Sequence, residues 1–314
     1  MKKFYCRENK DAARVFIQTL AGAGYQQVNS PDAADFLLMD HDYERESYAR
    51  WRPYFTPAAR RKRPVFIYPH VPYSYFLWDA IVKPTGAACN FVVAEGGKEA
   101  MRLYGYPYRV EVVGFAGMDV QPFTPTNGTK LLFAPAHPIH NRQYPKPEGL
   151  AHARRAAEWI VQNLDAFERV TVRYSHTLEE SGLEAFKGMT GRVQFEPVDI
   201  YRTPDIRRDA LRAIADADII VSQSTFGYLS IAAGKPTVFY GYKDMTPHSR
   251  EGYVKQYEKY RHIFYYPLVL EDMSVDELLA ARLTPDEHVE NWKRLNVGEN
   301  FNAAKFLNVI REYV

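Results

Sequence analysis

Residues 216–241 read DADIIVSQSTFGYLSIAAGKPTVFYG. The run Asp218–Val221 is short, apolar and β-branched, as suits a strand buried on both faces of a parallel sheet. It gives way to a small polar loop, Ser222-Gln223-Ser224-Thr225, and a helix is expected to start near Phe226–Gly227. Ser224 or Thr225 can cap that helix, Gly234 ends it, and Lys235-Pro236 leads into a second buried strand. A strand, a polar loop and a helix start in this order leave backbone N–H groups free, backed by the positive end of the helix dipole. That arrangement suits an anion such as a diphosphate, and the loop hydroxyls add donors of little bulk.

The same alternation runs outward in both directions. Apolar runs at Phe4–Cys6, Phe36–Met39, Val65–Tyr68, Phe91–Ala94 and Val110–Val113 form one set of strands. Lys130–Ala134, Arg169–Arg173, Val193–Phe195, Asp218–Val221 and Thr237–Tyr240 form a second. Helical spacing fills the gaps at Asp11–Gly22, Glu148–Leu164, Asp209–Ala217 and Tyr228–Ala233, and returns beyond Pro267 at Val275–Ala281, Asp286–Leu295 and Ala303–Tyr313. Strand alternating with helix, twice over, predicts an α/β chain of two doubly wound Rossmann-like domains with a helical C-terminal tail. Residues 121–129, QPFTPTNGT, carry no periodicity and two prolines, which is a linker composition. The expected domains are therefore 1–122 and 123–314, the second including the terminal helices.

With 314 residues the chain is long enough for two ordinary domains, and 46% hydrophobic with 25% charged residues is a globular composition. A net charge of +2 does not mark the whole chain as a polyanion binder. Cys6 and Cys89 are too few and too far apart for a disulfide framework or a zinc site, and read as buried thiols in a reducing compartment. The N-terminus MKKFYCRENK lacks the apolar stretch of a secretory signal, and no window holds enough apolar residues to span a membrane. A cytoplasmic location is the expectation; the oligomeric state is not legible.

The 216–241 segment, with Gly234-Lys235-Pro236 between its helix and its second strand, resembles the donor-binding domain of the GT-B fold glycosyltransferase superfamily. The resemblance covers residues 126–314 and implies two Rossmann-like domains facing a cleft, with a nucleotide-activated sugar held in the second. Ser222, Gln223, Ser224, Thr225, Phe226 and Gly227 then become donor ligands. The family's ribose-binding glutamate falls near Ser230, which can hydrogen-bond but carries no charge. The strand and proline-bearing loop Leu131–Arg142 more narrowly resemble the CDP-glycerol glycerophosphotransferase and UDP-N-acetylglucosamine 2-epimerase relatives, which sets His137 or Arg142 against the donor phosphates. Arg173 ends a strand where ligands of parallel sheets gather, and its planar fork suits phosphate. By the resemblance, the loop around Glu196 and Val198 cradles the nucleotide base through backbone groups.

By the resemblance, the first domain presents the acceptor and, in an inverting enzyme, a base able to deprotonate it near neutral pH. His70, in the loop Tyr68–Tyr73, is the first choice, with Asp40, His41 and Asp42 behind it. Asp40-His41-Asp42 is discounted as a metal site, since adjacent side chains on an extended strand end do not converge, and the resemblance implies metal-independent transfer. Residues 48–63, YARWRPYFTPAARRKR, interleave basic and aromatic groups without an acid. Arg50, Trp51, Arg52, Arg60, Arg61 and Lys62, with Tyr73, are the candidate acceptor contacts. Such a segment selects a polyanion: DNA with a modified base, or a phosphate-containing glycan. It also reads as a solvated loop.

The expectation is thus a glycosyltransferase with no permanently bound cofactor, using a UDP- or CDP-linked sugar as co-substrate. A sugar-nucleotide epimerase, a phosphopolyol transferase on the same fold, and a non-catalytic nucleotide-binding module stay open.

Overall fold

The structure is a computed structural model that describes residues 1–6, 11–40, 62–69, 87–103, 106–135, 146–175, 177–189, 191–199, 205–222, 224–241 and 266–314. The chain divides into two compact units, residues 1–120 with 294–314, and residues 121–293.

The first unit is built on six strands: Lys3–Cys6 (β1), Gln26–Gln27 (β2), Phe36–Asp40 (β3), Val65–Tyr68 (β4), Cys89–Val92 (β5) and Val110–Val112 (β6). Their order is β2-β1-β3-β4-β5-β6, and every described pairing is parallel. Helices Asp11–Gly22 (α1) and Glu95–Leu103 (α2) lie between strands in the chain. Both faces of the sheet are apolar. Phe4, Phe36, Phe66 and Phe91 join Phe16 of α1 on one face, while Leu37, Met39, Val65 and Ile67 form the other. This two-sided burial explains why the strands read as continuous apolar runs. Cys6 and Cys89 are buried and not in a disulfide, and burial pushes the Cys89 thiol up to about 12, so it stays an un-ionised core thiol.

The second unit holds Lys130–Ala134 (β7), Arg169–Tyr174 (β8), Val193–Pro197 (β9), Ile219–Ser222 (β10) and Thr237–Phe239 (β11). Its sheet is again all parallel, in the order β11-β10-β7-β8-β9. Helices Lys146–Gln162 (α3), Ile206–Asp216 (α4), Ser224–Ala232 (α5) and Val275–Ala280 (α6) belong to it. Helix α3 packs Ala153, Ala156, Ala157 and Ile160 into one core with Leu131, Phe133, Val170, Val172 and Val221. Near α5, Phe239 stacks on Tyr266 with ring centroids 4.4 Å apart, and Trp292 packs edge-on against both rings.

The proline-bearing segment 121–129 is laced onto this unit rather than hanging loose. Gln121 N–H donates to the Ala232 carbonyl (2.7 Å) and Thr124 N–H to Gly234 (2.8 Å), at the end of α5. Farther along, Thr126 Oγ1 donates to the Asp218 carboxylate at 2.6 Å, and the Lys130 N–H donates to its other oxygen at 3.0 Å. Gly234 is required here twice over: its φ is +75°, and a Cβ would stand 2.0 Å from the Pro122 carbonyl oxygen.

Helix Glu287–Asn296 (α7) contains the boundary at Lys293, and helix Ala303–Tyr313 (α8) returns to the first unit. Phe306, Val309 and Ile310 of α8 share the core of Phe4, Phe36 and Phe66. The sequence reading assigned the whole tail to the second domain; the structure groups residues 294–314 with the first unit, because the apolar stripe of α8 is buried there. No helix among the described residues is long and apolar enough to cross a membrane.

Gly227 shows how tightly α5 sits on its sheet: a Cβ there would lie 2.4 Å from the Phe239 ring. Alanine gains up to ~1 kcal/mol of helix propensity over glycine. The ring cannot retreat, being fully buried and stacked on Tyr266. Overpacking therefore wins, and Gly227→Ala should lower stability by about 2 kcal/mol in a urea titration.

Candidate functional site

The strand order of the second unit reverses between β7 and β10. The chain lays down β7, β8 and β9 outward to one side, then β10 and β11 on the other. Open parallel sheets bind ligands beyond the carboxyl ends of their strands at such a reversal. The two strands end in register, Ser222 opposite Ala134. The Ser222 hydroxyl is fully buried and donates to the Ala134 carbonyl at 2.7 Å, so it fastens the two strand ends together. One residue past β10, α5 begins, with no acidic residue in its first turn to oppose an incoming anion. Thr225 and Phe226 are half-buried in that turn, and Gly227 is buried against Phe239. Ser230 is fully buried, and its hydroxyl donates back to the Phe226 carbonyl at 2.8 Å. That hydroxyl is spent inside the helix and does not face a ligand. Gln223 lies outside the described residues, as do His137 and Arg142.

Arg173, at the end of β8, is only 6% exposed. Its guanidinium donates to Glu196 of β9 at 2.6 Å and to Asp209 of α4. Arg212, one turn along α4, joins both acids, at 2.9 Å from Asp209 and 3.4 Å from Glu196. The cluster balances two cations against two anions, and Arg173 holds the Asp209 carboxyl below the usual carboxylate range. Arg173 also stands over the Phe226 ring, 5.9 Å from its centroid, within reach of a cation–π contact. A guanidinium already shared by two carboxylates favours a positioning role, clamping α4 and the first turn of α5 over the sheet, above direct phosphate neutralisation. The Val198 N–H is likewise engaged, donating to the Tyr174 carbonyl at 2.7 Å.

In the first unit, Asp40 closes β3 opposite Tyr68 of β4. His41, Asp42, His70 and Tyr73 lie outside the described residues, as do Arg50, Trp51, Arg52, Arg60 and Arg61. Of the basic segment, Lys62 is exposed, while Arg63 is tied to its own unit through the Pro31 carbonyl (3.1 Å), the Asp32 carbonyl (2.8 Å) and the Asp32 carboxylate (3.2 Å).

No family model matches the chain, and no curated protein does. Solved structures do. Sucrose-phosphate synthase from Thermosynechococcus elongatus matches with a TM-score of 0.51 at 12% identity, over 99% of this chain and 98% of that one. MurG from Acinetobacter baumannii matches at 0.50 and 9%, over 99% and 100%. A glycosyltransferase from Rickettsia africae ESF-5 matches at 0.50 and 11%, over 99% and 98%. The chain has the GT-B fold. It also aligns with 55% of the length of the longer Staphylococcus aureus TarM chain.

Within the GT-B fold, the site at the end of the second sheet includes residues that sequence reading passed over. Asp209 and Arg212 were read only as part of a helix, although their i, i+3 spacing puts an acid and a base on one helix face. Glu271 was not singled out at all. It accepts the Gly241 N–H just past β11, and burial pushes its carboxyl above the usual range. No local pattern marks it, because Gly241 and Glu271 are 30 residues apart.

Arg173→Met should cost about 2 kcal/mol, below the figure for a wholly buried pair, because both orphaned acids reach solvent. Arg173→Lys should recover less than half of that, since one ammonium cannot span two carboxylates as a fork does. Because the folded pKa of Asp209 is depressed, its share of stability is present above the unfolded carboxylate range and lost as pH falls through the folded value. Urea midpoints measured from neutral to acid pH should therefore converge for wild type and Arg173→Met.

Proposed function

We propose that this chain is a glycosyltransferase whose second unit holds a nucleotide-activated sugar at the carboxyl end of its sheet. The observation that carries the reading is the start of α5, one residue beyond β10 at the reversal of strand order. The positive end of the helix dipole there favours the negative charge that grows on a departing diphosphate. The Rickettsia africae protein of the same fold is itself described as a glycosyltransferase.

In the proposed reaction the bond from the anomeric carbon to the phosphate oxygen breaks, and its electron pair leaves with the nucleoside diphosphate. An acceptor hydroxyl forms the new bond to that carbon and passes its proton to a base. His70 is our first candidate for that base, with Asp40, His41 and Asp42 as the others. The donor is UDP- or CDP-linked in this reading, and the basic segment 48–63 recognises an acceptor that carries phosphate.

Thermal-shift and calorimetric titration with UDP-, CDP-, GDP- and ADP-sugars tests the reading. One nucleotide should stabilise the protein, and slow hydrolysis of that donor should follow. Thr225→Glu sets a carboxylate in the first turn of α5, where the dipole tolerates it, so the fold should survive while donor affinity falls more than tenfold. No stabilisation by any nucleotide at millimolar concentration would overturn the reading.

A further inference from the structure

We propose that Asn127 is a site of spontaneous covalent modification, in which ring closure onto Gly128 and conversion to isoaspartate slacken the tie between β7 and β10. Asn127-Gly128 is the single Asn-Gly step in the chain. Glycine has no side chain to shield its amide nitrogen, and asparagine is among the thermolabile residues. Asn127 is exposed and makes no hydrogen bond among the described residues. Its neighbours are fastened: Thr126 N–H donates to the Arg282 carbonyl at 3.1 Å, and Glu168 N–H donates to the Thr129 hydroxyl at 3.0 Å. The carboxamide is thus an untethered group between two anchored residues. The attacking nitrogen is weakly held, since Gly128 N–H donates to Thr126 Oγ1 at 3.2 Å, the long end of the range for such bonds. Packing itself demands the glycine, because a Cβ at 128 would stand 2.1 Å from Asp218 Oδ2.

In the reaction the Gly128 nitrogen gives up its proton to solvent and bonds to Cγ of Asn127. The Cγ–Nδ2 bond breaks, and the side-chain nitrogen takes a proton from solvent and leaves as ammonia, closing a succinimide ring. Water then opens the ring. Addition at the side-chain carbonyl gives aspartate, and addition at the main-chain carbonyl routes the backbone through Cβ as isoaspartate. The second product has a mechanical consequence. Thr126 and Lys130 bind the two oxygens of one carboxylate, Asp218, at 2.6 and 3.0 Å. Isoaspartate inserts one carbon into the main chain between them, and a rigid carboxylate cannot widen to match, so one bond is released. Both products also add a negative charge to the loop that wraps Asp218. Those two bonds hold the amino end of the β7–β10 pairing, and the modification acts as a slow, one-way release of it.

The test incubates the folded full chain in mildly alkaline buffer and follows it by peptide mass spectrometry. The peptide that carries Asn127 should gain one dalton, and an isoaspartate-specific carboxyl methyltransferase should label it. Asn127→Gln, incubated alongside, should gain no label there. The converted fraction, separated by ion exchange, should lose about 0.5 M from its urea midpoint, as the loss of one hydrogen bond to a charged group predicts. Asn127→Asp adds the charge without lengthening the backbone, and should lose less than half as much. A folded chain that keeps its mass while urea-unfolded wild type converts would overturn the proposal, since the loop's own bonds then forbid ring closure. Conversion that leaves the urea midpoint where it was, or that matches Asn127→Asp, would overturn the slackening of the tie.

Discussion

Strand β10 lies beside β7 in one register, Ile219 to Ser222 against Leu131 to Ala134, and the second unit depends on it. Both ends of that pairing are tied by side chains. At the amino end, Asp218 accepts the Lys130 N–H and the Thr126 hydroxyl; at the carboxyl end, Ser222 donates to Ala134. A slip of one residue would break both ties and turn buried side chains to the opposite face. Holding this register fixes where β10 stops, hence where α5 starts. The start of that helix then stands at the reversal of strand order, where open parallel sheets take their ligands.

A second tie joins other elements of the same unit. Arg173 binds β8, β9, α4 and the first turn of α5 into one electrostatic cluster near the same sheet edge. Nearly buried charge of this kind costs desolvation, and it is stable only because each cation meets more than one partner. The consequence is a rigid polar floor near a helix start. Pre-oriented groups lose little entropy on binding, so such a floor suits ligand recognition better than flexible surface charges would.

The fold was largely legible because strands buried on both faces must be continuously apolar, a pattern that survives without any knowledge of neighbours. Val65–Tyr68 and Lys130–Ala134 coincide with the expected spans, and Asp11–Gly22 and Ala303–Tyr313 are helices as read. The misses have physical causes. Gln26–Gln27 is two exposed glutamines that become a strand only by pairing with β1. Glu95–Leu103 carries Gly96 and Gly97 in its first turn, which dilutes its helical signal.

The site divides along a similar line. Local chemistry alone determined the strand–loop–helix at 216–241, because apolar runs, small polar residues and Gly-Lys-Pro act within a few positions of one another. Only tertiary structure decided what each side chain does. Ser222 and Ser230 look like available hydroxyls in the sequence, yet packing buries them against carbonyls. Arg173 looks like a phosphate ligand, yet its two acids come from 23 and 36 residues away. The terminal helix reads as part of the second domain, yet its apolar stripe is buried in the first unit's core. Periodicity is written in neighbouring residues, whereas partner choice depends on which distant segments the fold brings within hydrogen-bond reach.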